Sequence, residues 1–211
     1  HGNSACDPGH PDSGRFDQSA QAHRRCLYVG ETVRLELRNT EIRQFDCSGE
    51  ESDSRVGGAV YLEWGSLFVA SNCFSRGNGP ASSIPDSPNT EGGAVFVRSF
   101  SDARFYDCSF YSNQAAVGSA VAIEYGDAME TPFVLFERTS FARNRAYYPY
   151  PGDGFGGAVS VGGAARVVFN TCSFVANEGF ISDIDIHTWA DVTLVNSAVS
   201  DSVAQLGTSH E

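Results

Sequence analysis

The chain has 211 residues, 41% of them hydrophobic, and a formal net charge of −12; its 14 basic residues are all Arg. The length fits one domain or one elongated repeat array, and the apolar fraction is enough for a buried core. The acidic balance argues against binding to nucleic-acid backbones or anionic membrane surfaces, and no apolar run approaches the roughly 18 residues that cross a bilayer.

Residues 1–30 are polar, with Pro8 and Pro11, and read as an N-terminal cap or arm. Cys6 and Cys26 are placed to close that arm with a disulfide. From Thr32 onward a repeat takes over. Gly57-Gly58-Ala59-Val60, Gly92-Gly93-Ala94-Val95 and Gly156-Gly157-Ala158-Val159 are near copies, Gly118-Ser119-Ala120-Val121 is a variant, and Ser182-Asp183-Ile184 is a worn last copy. A second phrase alternates with the first: Phe110-Tyr111-Ser112-Asn113, Phe141-Ala142-Arg143-Asn144 and Phe174-Val175-Ala176-Asn177. Two phrases in fixed alternation are the mark of a repeat architecture.

Anchoring on Ile42, Phe74, Phe110, Phe141, Phe174 and Val199, the positions seven and five residues earlier are apolar in every copy: Leu35/Leu37, Leu67/Val69, Ala103/Phe105, Val134/Phe136, Val167/Phe169 and Val192/Leu194. The first phrase adds Val60/Leu62, Val95/Val97, Val121/Ile123, Val159/Val161 and Ile184/Ile186. Period-2 spacing of branched residues predicts short strands with one buried face. Stacking of like on like then predicts an all-β, right-handed parallel β-helix of about six rungs over residues 31–203, with a tail at 204–211. Phe74, Phe110, Phe141 and Phe174 should form an internal aromatic ladder, and Asn113, Asn144 and Asn177 an amide ladder at a corner.

Alternating GGA[ILV] and FxxN phrases resemble the repeat of the chlamydial polymorphic outer-membrane proteins, found in autotransporter passengers, and the resemblance covers roughly residues 55–180. It implies a right-handed β-helix that displays loops and serves adhesion or assembly. The last copy departs from the pattern, with Asp183 where the family has Ala.

None of the six cysteines shows CxxC spacing, which excludes the zinc-ribbon and thioredoxin arrangements, and their even number favours an oxidising extracellular, cell-surface or lumenal compartment. The register puts Cys108 and Cys172 two rungs apart, about 9.6 Å, so both should be reduced, buried and inert. Cys47 and Cys73 fall on adjacent rungs and are expected to pair.

Insertions at 46–56, 77–91 and 145–155 precede GGA phrases and so leave the same edge of the rod; a further one lies near Gly126. Tyr147, Tyr148, Tyr150 and Phe155 in the third are held among prolines and offer rigid aromatic contact area for a protein or glycan partner. Phe68, Leu135 and Val168 are expected to point outward as an apolar stripe. Glu63, Arg98 and Glu124 should stack with alternating sign.

The expected role is therefore a non-catalytic display or docking module, adhesive or a subunit of a larger assembly, without cofactor or metal. The alternative is a carbohydrate-active β-helix enzyme of lyase or glycosidase type, with Asp183, Asp185 and His187 sharing one outward face for acid/base chemistry. The paired-Asp and Gly-His-Gly phrases of polygalacturonase-like enzymes are missing. His1, His10, His23, His187 and His210 show no HxH or HxxxH spacing for a metal.

Overall fold

A computed structural model describes residues 15–17, 27–45, 58–79, 90–123, 131–147, 157–179, 183–187, 189–201 and 203–204. Every strand pairing among them is parallel and in register, and the chain coils into a β-solenoid. One face, the GGA face, stacks Leu27–Val29, Val60–Leu62, Val95–Val97, Val121–Ile123, Val159–Val161 and Ile184–Ile186. The long-strand face stacks Arg34–Arg38, Leu67–Ser71, Asp102–Tyr106, Phe133–Glu137, Arg166–Asn170 and Asp191–Val195. The third, the Phe face, runs from Arg15–Asp17 through Glu41–Arg43, Phe74–Arg76, Ser109–Tyr111, Ser140–Ala142 and Ser173–Val175 to Ala198–Ser200. A short edge of two-residue strands at Gln114–Ala115, Arg145–Ala146, Glu178–Gly179 and Val203–Ala204 closes the coil.

The period-2 positions explain the faces. Val60, Val95, Val121, Val159 and Ile184 lie in one vertical file. Phe105, Phe136 and Phe169 stack with ring centroids 4.9 and 5.0 Å apart, and Phe110, Phe141 and Phe174 stack at 5.1 and 4.8 Å. The two ladders meet edge to face, as in Phe136–Phe141 at 5.1 Å and 78°. Offset and edge-on pairs of this kind each add about 0.5–1.5 kcal/mol beyond area burial.

Corners turn by left-handed residues at equivalent places. Asn39, Asn72, Asp107, Arg138, Thr171 and Asn196 all have positive φ between the long-strand and Phe faces. The two glycines of the GGA phrase answer separate demands. Gly92 and Gly118 hold φ of 66° and 55°, whereas a Cβ on Gly93 would sit 2.3 Å from the Ser119 carbonyl oxygen and 2.4 Å from that of Gln114. Gly92 needs the left-handed conformation and Gly93 the absence of a side chain, whereas the next copy carries Ser119 at that second place, its hydroxyl donating to the Gly157 carbonyl.

The amide ladder is longer than the three FxxN copies. Asn78 Nδ2 donates to Asn113 Oδ1 (2.9 Å), Asn113 to Asn144 (3.0 Å) and Asn144 to Asn177 (3.0 Å), and Asn177 ends the run on Asp183 Oδ1 (2.9 Å). Each of the Oδ1 atoms of Asn113, Asn144 and Asn177 also accepts the backbone N–H of the preceding Asn.

The expected register fails on one rung. Ser75, not Phe74, pairs with Ile42 and Phe110, so the inward pair beneath Ala103 and Phe105 is Phe68 and Ala70, not Leu67 and Val69. Phe68 is 2% exposed and packs on Phe105; it is a core residue and not part of an outward stripe. The error arose because Phe74 fits the aromatic column better by composition than the Ser that fills it. The same shift corrects the expected Cys47–Cys73 disulfide: Cys73 is a free thiol directly beneath Cys108. Cys108 and Cys172 are free and buried, as expected. Cys6, Cys26 and Cys47 lie outside the described residues.

Candidate docking surface

Glu63 organises the turn that leads from the GGA face into the long-strand face. Its carboxylate accepts from the Tyr28 hydroxyl (2.7 Å), from Arg98 Nη1 (2.9 Å) and from the Trp64 backbone N–H (3.2 Å). Partial burial alone would raise its pKa, but these three donors together hold it below the ordinary value. Ser101 Oγ caps the Glu63 carbonyl (2.9 Å) and is bonded by Ser66 Oγ (3.2 Å). The corner is thereby rigid on both strands it joins. The Glu63–Arg98 stacking expected from alternating charge is present; Glu124 lies outside the described residues.

On this corner Trp64 and Phe100 meet edge on, with ring centroids 5.2 Å apart and planes at 70°. They are 37% and 48% exposed, and Trp189 at the same corner of the last rung is 79% exposed. In the five described turns of this corner the third residue takes the left-handed conformation: Thr32, Gly65, Phe100, Ala164 and Trp189. Glycine meets that need without strain, as Gly65 does, whereas Phe100 and Trp189 carry large side chains there at φ of 59° and 70°. These three aromatics escaped the sequence reading because they stand in polar turns outside both repeat phrases; an aromatic one or two places after the Glu63/Arg98 position was the available signal.

Next to this corner lies the outer side of the long-strand face. Its central column reads Glu36, Val69, Arg104, Leu135, Val168 and Thr193, so the half-buried stripe is Val69, Leu135 and Val168, interrupted by Arg104. Phe133 in the neighbouring column has the guanidinium groups of Arg104 and Arg166 at 5.8 and 6.0 Å from its ring centre. Arg104 is also paired with Asp102 (2.7 Å). Apolar area and neutralised charge therefore alternate across a flat surface.

Of the expected loop aromatics, Tyr148, Tyr150 and Phe155 lie outside the described residues. Tyr147 is half-buried, with its hydroxyl 3.3 Å from Thr90 Oγ1. The outer side of the GGA face holds a second, unexpected stack of Tyr28, Tyr61 and Phe96, with both centroid spacings 5.5 Å. Tyr61 and Phe96 are buried.

Asp183, Asp185 and His187 do not share one outward face. Asp183 is turned to the Asn177 amide. Asp185 is buried, and its Oδ2 lies 3.2 Å from His187 Nε2 without forming a hydrogen bond of good geometry. Burial pushes the Asp185 carboxyl above its ordinary pKa, against the opposing effect of His187. Ser160 Oγ approaches the same His187 nitrogen at 3.5 Å. A nucleophile relay needs the hydroxyl and the carboxylate on opposite imidazole nitrogens, and here both address Nε2.

Comparison with protein-family models, with curated proteins and with solved structures finds no match for this chain.

Proposed function

We propose that this β-solenoid is a non-catalytic display and docking module, adhesive or a subunit of a larger extracellular or lumenal assembly. Its contact surface is the corner bearing Trp64 and Phe100 together with the adjoining Val69, Leu135 and Val168 stripe, with Tyr147 offering a separate contact at the opposite edge of the GGA face. The carrying observation is that Phe100 and Trp189 expose large rings from backbone positions that suit glycine. Strain retained at a surface residue is a pointer to use, and Trp is enriched where binding energy concentrates. The likeness of the GGA/FxxN phrases to polymorphic outer-membrane repeats supports display and adhesion. A net charge of −12 favours a neutral glycan or a basic protein surface over an anionic partner.

The catalytic alternative draws its support from the Asp185–His187 contact, while Asp183 is engaged by the Asn177 amide. The test is binding of the whole chain to arrays of neutral glycans and to immobilised basic extracellular proteins, beside a Trp64→Ser/Phe100→Ser variant. A tenfold or greater loss of affinity with an unchanged far-UV spectrum is expected. Equal binding by the variant, or turnover of a polysaccharide by the wild-type chain, would overturn the reading.

A further inference from the structure

Thr40, Cys73, Cys108, Thr139, Cys172 and Ser197 form one column, just ahead of the Phe-face strands. Each side chain there donates to the carbonyl two residues earlier: Thr40 to Arg38, Cys73 to Ser71, Cys108 to Tyr106, Thr139 to Glu137, Cys172 to Asn170 and Ser197 to Val195. From Cys73 onward each also reaches a carbonyl of the rung below. Hydroxyls meet this structural need at three of the six places. Two thiols on consecutive rungs therefore supply chemistry that the column does not require.

In-register neighbours on adjacent strands are about 4.8 Å apart, inside the roughly 4.4–6.8 Å Cα window of a disulfide. Cys73 and Cys108 stand at directly paired positions of neighbouring rungs, so their side chains leave the sheet on the same side. Cys108 is buried and Cys73 half-buried. Beside them is an apolar void of about 20 Å³, lined by both cysteines with Leu37, Ile42, Phe68 and Phe105 among others. It occurs where Ala70 and Ser75 stand below Phe105 and Phe110, and it leaves the sulfurs room to turn toward each other.

We propose that Cys73 and Cys108 are a redox-active dithiol that reduces a low-molecular-weight disulfide and closes into a bridge between neighbouring rungs. The Cys73 thiolate attacks one sulfur of the disulfide, whose S–S bond breaks and releases one thiolate with the bonding pair. Cys108 then attacks Cys73 Sγ in the resulting mixed disulfide and expels the second thiolate. The two protein thiols lose two electrons, and their protons end on the two released small thiols. Cys73 is suited to attack: the neighbouring Cys108 thiol outweighs its burial and, with Thr40, brings it down to about 7. The neighbouring Cys73 and burial push Cys108 up, so it waits as the resolving thiol. Cys172, two rungs above Cys108 with Thr139 between, has no thiol on an adjacent rung.

The full chain is incubated with oxidised glutathione, quenched by acid, alkylated and peptide-mapped by mass spectrometry without reduction. A Cys73–Cys108 cross-linked peptide, loss of both free thiols and an alkylated Cys172 are expected. Cys108→Thr, which copies the residue at 139, should instead accumulate the glutathione adduct on Cys73. A wild-type chain whose Cys73 stays alkylated, remains a glutathione adduct or pairs with a different cysteine overturns the proposal, and this mapping decides it whether or not the variant folds.

Discussion

Asp185 sits in surroundings that a carboxylate does not favour. A carboxyl 3% exposed, with one oxygen lacking a properly aligned donor, is held above its ordinary value of 3.8 by loss of water. Its folded-state pKa is thus higher than its unfolded one, and the folded chain binds the proton more tightly. Its contribution to stability is greatest below 3.8 and declines as pH rises through the raised folded value. Asp185→Asn should remove that decline. Urea unfolding across this range should show a variant that is more stable than wild type at neutral pH and flatter in its pH dependence. A variant that loses stability at pH 7 would mean that the contact with His187 contributes more than burial costs.

Among the elements, the corner ladder of Asn78, Asn113, Asn144 and Asn177 carries the clearest cost. All four are buried, and each of the last three satisfies both the amide and the backbone of the rung below. Asn144→Ala would leave the Asn113 N–H without its acceptor, take one of two acceptors from Asn113 Nδ2, and remove the side-chain donor from Asn177 Oδ1 and from the Phe110 carbonyl. Orphaning buried polar groups in this way should destabilise the chain by about 2–4 kcal/mol, read as a lower urea midpoint with an unchanged slope. The ladder also shows why the sequence misled on one rung. Counting back three from Asn78 gives Ser75, the true counterpart of Phe110; Phe74, one place earlier, satisfied an apolar expectation that the void beside Ser75 shows the core does not enforce there.

At the scale of the molecule, stability runs along the stack. Each rung touches only its neighbours. The last described rung is the least covered: Leu194, Val199 and Ile186 continue inward columns yet are 47%, 56% and 51% exposed, whereas Phe136, Phe141 and Val121 in the middle are fully buried. Amide hydrogen exchange should therefore be slowest in Val121–Ile123 and Phe133–Glu137 and fastest in Asp191–Val195, with protection falling steadily toward the end. Uniform protection would indicate that the coil opens only as a unit.

The strands carrying the two phrases, their parallel stacking, the valine file, the Phe110/Phe141/Phe174 ladder and the Asn113/Asn144/Asn177 ladder could be read from the chain alone, because a two-residue alternation repeated at each coil leaves one way to bury the apolar side. The strands Arg15–Asp17 and Leu27–Val29 fell in what read as a cap. Which residue lies on which across a rung was settled only by tertiary packing, since a slip of one place exchanges the inner and outer sides of a strand at little local cost. That is why Phe68 proved to be core, why Cys73 met Cys108, and why the exposed rings of Trp64 and Phe100 came into view only with the corner that holds them.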